Sequence, residues 1–140
     1  MRQIKFRGKD IETGEWLYGY LVQPIGQNPS IYVQDVKTEG VASFFVYDVE
    51  ESTVGQFTEL LDKNENEIYD GDIVKAPLLD PIFRDILKDA FTEAVVKYNN
   101  GAFVVSYYNE SHNIYIQDLY EKIEVIGNIH DNTDILDEKR

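Results

Sequence analysis

Apolar and polar residues alternate along most of this chain, and that period of two predicts strands. Residues 3–8, QIKFRG, set Ile4 and Phe6 toward a core and Lys5 and Arg7 on the opposite face. WLYGYLV (16–22) and IYVQDV (31–36) are two further strands, separated by the Pro-, Gly- and Asn-rich loop 23–30. SFFVYDV (43–49) is apolar on both faces over part of its length, so it is expected to be covered on both sides. STVGQFTEL (52–60) and DIVKAP (72–77) continue the strand pattern. Residues 78–91, LLDPIFRDILKDAF, change period: Ile82, Ile86, Leu87 and Ala90 recur at helical spacing. Asp80 before Pro81 looks like an N-cap followed by proline at the first helical position, so an inserted α-helix is predicted there. EAVVKYNNGAFVVSYY (93–108) is a hairpin about Asn100-Gly101. NIYIQDLYE (113–121) fits a strand or a helical turn equally, KIEVIGNI (122–129) closes the pattern, and residues 133–140 form a polar tail. The expected fold is therefore mainly β, a small closed or half-open barrel with one inserted helix, in a single domain over residues 1–140.

Composition changes that picture little. The 140 residues include 43% hydrophobic side chains, enough for a core, and ten Tyr against one Trp. Tyr suits half-buried strand faces, where the ring is covered and the hydroxyl stays wet. Cysteine is absent, which excludes disulfides, thiolate metal sites and thiol nucleophiles. The start MRQIKFRGKD has charges where a signal peptide needs an apolar core, and the apolar runs are far short of a membrane span. A cytoplasmic protein that does not enter membranes is expected.

The net charge of −13 opposes binding to nucleic acid unless basic residues segregate. Residues 48–72 hold nine acids and one base, whereas residues 1–12 hold four bases and two acids. Lys5 and Arg7 are expected to pair with the protein's own carboxylates.

The stretch LDKNENEIYDGDIVK (61–75) poses the sharpest chemical question. Asp62, Asn64 and Asn66 alternate like the first ligands of an EF-hand. Such a loop needs Gly at its sixth position and Glu at its twelfth, where this chain has Glu67 and Ile73. A pair of turns is the better reading, with Gly71 at positive φ after Asp70. His112 and His130 have no third metal ligand at a predictable spacing, and Ser111 beside His112 is adjacency in sequence only. No phosphate loop, catalytic group, metal site or cofactor is predicted.

TVGQFTELLDKNENEIYDGDIV (53–74) resembles the signature of the YopX-like family, small proteins of phages, prophages and plasmids of Firmicutes. MRQIKFRG at the start and EVIGNIHDN (124–132) match in the same order. Glu59 and Glu65 stand where the family has glycines. The resemblance implies an SH3-type barrel with additional β-strands, places the 78–91 helix as a variable insertion, and implies a phage or prophage context. It supplies no catalytic residue and no cofactor. The expected function is a non-enzymatic protein-binding module, with Trp16, Tyr69, Asp70 and Asp72 as candidate binding residues. Two alternatives are an acidic nucleic-acid mimic acting on a host nuclease or repressor, and a nucleic-acid-binding module using the N-terminal bases. The protein partner is not specified by the sequence. An uncovered edge strand could also pair with a copy of itself.

Overall fold

The computed structural model describes residues 3–35, 40, 43–80, 82, 85–107 and 113–137. The chain is mainly β and falls into two compact units, Met1–Phe57 and Thr58–Arg140.

The first unit is an antiparallel meander. β1 (Phe6–Lys9) pairs with β2 (Trp16–Val22), β2 with β3 (Ser30–Gln34), and β3 with β4 (Phe44–Asp48). On its other side β1 meets the start of β5 (Gly55–Leu61), with Arg7 opposite Gly55. Ile31, Val49 and Phe57 are buried here. Gly19 is required by a close approach: a Cβ there would fall on the carbonyl oxygen of Tyr32.

Two expectations for this unit are reversed. Ile4 is exposed and Arg7 is buried, the guanidinium lying 4.7 Å from the Trp16 ring centre. The aromatic face shelters the cation, so its aliphatic stem and planar head pack as core atoms would. The second reversal is β4, whose five residues are all exposed although the sequence predicts cover on both faces.

In the second unit the end of β5 is followed by β6 (Glu67–Tyr69). A five-stranded antiparallel sheet follows, built from β7 (Asp72–Leu79), β8 (Ile86–Asn99), β9 (Ala102–Tyr107), β10 (Asn113–Tyr115) and β11 (Glu124–Asn128). Its strand order is β10-β9-β8-β7-β11. Ile68, Val74, Val96, Val105, Ile116, Leu119 and Ile123 make a continuous core. The β8–β9 hairpin turns at Asn100 and Gly101, both at positive φ, as the sequence predicts. The ambiguous stretch 113–121 is both things in turn: a strand, then two 3-10 turns at Ile116–Asp118 and Tyr120–Lys122.

The predicted helix over 78–91 is not formed. Leu79 ends one strand and Ile86 begins the next, paired with each other, and Pro77 faces Phe91 further along. Asp80 does use its carboxylate as a local cap, accepting from the Ile82 N–H at 2.8 Å. The Asp80 N–H then donates to the Asp85 carbonyl at 2.7 Å and closes a turn. A lone helix of this length is marginal, whereas extending β7 and β8 adds ladder bonds and sets Ile86 against the core. Pro81, Phe83 and Arg84 lie outside the described residues. The one α-helix described is instead Thr133–Asp137, inside the stretch expected to be a polar tail.

Candidate functional site: an aromatic sheet face

The signature stretch 61–75 holds the sharpest chemical candidates, and its two buried carboxylates, Asp62 and Asp72, are spent on structure. Asp62 is buried. Its Oδ1 accepts from the N–H groups of Asn64 and Asn66 at 2.8 and 2.9 Å. Its Oδ2 accepts from the Val125 N–H at 2.8 Å, tying the loop to β11. Burial pushes the carboxyl pKa up. The amides of Val125, Asn66 and Asn64, with the Asn66 side chain, outweigh that and bring it below the usual carboxylate value. Inward-pointing N–H donors at both oxygens oppose a cation there.

Of the four predicted binding residues, two are internal. Tyr69 and Asp72 are both buried; the Asp72 carboxylate accepts from the Tyr69 N–H at 2.7 Å and braces the turn between β6 and β7. Gly71 in that turn has φ 94°, as predicted, and its N–H and carbonyl bond to Val96 and Ile129. Asp70 is half-exposed in the same turn. Trp16 belongs to the other unit, on β2, with the Lys9 ammonium 5.4 Å and the Arg7 guanidinium 4.7 Å from its ring centre. The closing motif is structural too. A Cβ on Gly127 would collide with the Asn132 side chain, and the Asn128 side chain accepts from the N–H groups of His130 and Asp131. His112 and Ser111 lie outside the described residues. Among the described residues no group of three or more His, Asp or Glu is placed to hold a metal ion, and no helix is long and apolar enough to cross a membrane.

The exposed chemistry lies on β2, β3 and β4. Alternation puts Trp16, Tyr18, Tyr20 and Val22 on one face of β2. The register Tyr20–Tyr32–Val46 carries that face across β3 to β4, where Phe44 joins it. Tyr20 is 55% exposed and Phe44 41%, their ring centres 6.0 Å apart and edge to face. The Tyr32 ring lies 6.2 Å from Phe44. Between β1 and β3, Lys5, Tyr18, Tyr20, Tyr32 and Gln34 help line an open groove of about 340 Å³. Lys5 at its rim lies over the Phe57 ring, 5.1 Å from its centre. Of this face, sequence reasoning singled out only Trp16 as a binding residue. The signal was the two-residue spacing of aromatics on WLYGYLV, with Tyr32 of IYVQDV beside them, which reads equally as core.

A charged loop stapled to the closing strand of a five-stranded sheet defines the class: a small, mainly β protein whose Asp62 and Asp72 carboxylates hold turns. The chain belongs to the YopX family, since the family model described as YopX protein matches residues 5–137. A similar solved structure is the crystal structure of protein EF1440 from Enterococcus faecalis, 22% identical, with a TM-score of 0.61, covering 97% of this chain and 99% of that one. That likeness establishes the fold. Among curated proteins, none matches this chain.

Proposed function

We propose that this protein is a non-enzymatic protein-binding module whose recognition surface is the aromatic face of β2 and β3. It would serve as an accessory protein of a phage or prophage in the cytoplasm of a bacterial host. The observation that carries the reading is the row of exposed Tyr18, Tyr20 and Phe44 with half-buried Tyr32, beside an open groove, in a chain whose signature carboxylates Asp62 and Asp72 are already engaged. Tyrosine rings offer wide contact area at low conformational cost, and aromatic grooves accept extended peptides. With a net charge of −13, the partner segment is extended, apolar where it meets the rings, and basic in its flanks. The SH3-type reading of the second unit draws support from its sheet order, β10-β9-β8-β7-β11, and from the 3-10 turns before the last strand.

Selection of a displayed random-peptide library on the protein tests this. Enriched peptides should be basic and apolar, with binding by fluorescence anisotropy weakened about tenfold or more by Tyr20→Ser or Tyr32→Ser, a cost of about 1.4 kcal/mol. No enrichment, or affinity untouched by both changes, would refute the reading.

A further inference from the structure

We infer that β4 is a dimerisation edge, pairing antiparallel with β4 of a second copy about a two-fold axis at Phe45. The first observation is the direction of the backbone groups. The β3–β4 register continues from Ser30–Asp48 to Gln34–Phe44, with the Asp35 N–H donating to the Ser43 carbonyl and the Val49 N–H to the Pro29 carbonyl. Antiparallel pairs alternate between bonded and non-bonded. Residues 43, 45, 47 and 49 therefore turn their N–H and C=O toward β3, and Phe44, Val46 and Asp48 turn theirs outward. The outward carbonyl of Asp48 already accepts from the Ile11 N–H at 3.1 Å. Phe44 and Val46 remain, and β4 is the terminal strand of its sheet among the described residues.

The second observation is the side chains. Phe44, Phe45, Val46 and Tyr47 are all exposed, with Phe45 at 52% and Val46 at 51%. An open edge is ordinarily blunted by lysine, proline or a bulge. Residues 43–47, SFFVY, contain no charge and no proline, in a chain of net charge −13. That neutrality lets two copies of an acidic protein meet at this strand without like charges in contact.

The third is the register. An antiparallel pair centred on Phe45 sets Phe44 opposite Val46 of the copy, twice, so both outward residues on each strand are bonded and the sealed Asp48 end is left alone. Phe45 then faces its own counterpart as a non-bonded pair, and Tyr47 faces Ser43. This is the self-complementary, isologous contact of a two-fold dimer. It covers the exposed side chains on both faces of β4 and extends the sheet across two copies. The contact shares Phe44 with the aromatic face, and the two are tested apart: the peptide groove at Tyr20 and Tyr32, the dimer at Phe45 and Val46.

The absence of native cysteine makes the register directly readable. Phe45→Cys places two thiols across the two-fold, where Cα atoms in a non-bonded pair stand about 4.5 Å apart, within disulfide range. The expected results are a mass of twice 16.2 kDa by sedimentation at micromolar concentration, rapid disulfide dimer from Phe45→Cys on mild oxidation, and cross-linking at least about tenfold slower from Val46→Cys, whose counterpart is displaced in register. Phe45→Asp should sediment as a single chain with an unchanged circular dichroism spectrum. A wild-type protein at single-chain mass at about 100 μM, well above the affinities of stable dimers, would overturn the inference. So would Phe45→Cys cross-linking no faster than Val46→Cys. If Phe45→Asp fails to fold, the two cysteine rates decide the matter.

Discussion

Asp62 is a buried carboxylate kept charged by four donors. Its pKa lies below the unfolded value of about 3.9. The stability it contributes is therefore complete above that unfolded value and is lost as pH falls through the lower folded one. Asp62→Asn puts an NH₂ where one oxygen accepts, and should cost about 2–3 kcal/mol at pH 7. Urea melts of both proteins from pH 7 to pH 2.5 should show that gap shrinking in acid; a gap constant with pH would contradict the assignment. Glu65 in the same loop has φ 66°, and Glu59 has φ 71°. Both stand where the family resemblance has glycine, so the chain keeps the left-handed backbone while carrying a side chain that disfavours it. Glu65→Gly should raise stability by about 0.5–1 kcal/mol, read as a higher thermal midpoint; a lower midpoint would mean the Glu side chain compensates for its backbone.

At the scale of elements, Gly19 decides whether β2 and β3 can lie together. Gly19→Ala drives a methyl onto the Tyr32 carbonyl and should destabilise by about 1–3 kcal/mol. The same change should move the Tyr20 and Tyr32 rings apart and weaken peptide binding; wild-type stability in this variant would mean the strands shift freely. The hairpin at Asn100-Gly101 and the turn at Gly71 were legible in the sequence because a single dipeptide or glycine dictates the backbone there. The 78–91 helix was misread for the opposite reason. Its apolar spacing fits a helix locally, and only the pairing of Leu79 with Ile86 and Pro77 with Phe91 reveals the alternative. β4 shows the same limit: a strand apolar on both faces reads as buried, whereas all five of its residues are exposed. Of the predicted site, Trp16 sits on the exposed sheet, while Tyr69 and Asp72 were drawn from a signature that serves a turn.

For the whole molecule, charge and surface must be weighed together. The net charge of −13 repels nucleic acid, and Lys5, Arg7 and Lys9 already lie against the Phe57 and Trp16 rings. Single-stranded or duplex DNA should therefore not be retained even at low ionic strength; a complex weakened by Lys5→Ala would show these cations to be available. The central claim is that recognition belongs to the β2–β3 face and that the signature loop only holds the fold. Amide chemical-shift mapping with a selected basic, apolar peptide reads this most directly. The account predicts that the largest shifts fall on Tyr18–Val22 and Ser30–Gln34, with Asp62–Asp72 unmoved. Shifts centred on Tyr69, Asp70 and Asp72, with the tyrosine face silent, would contradict it.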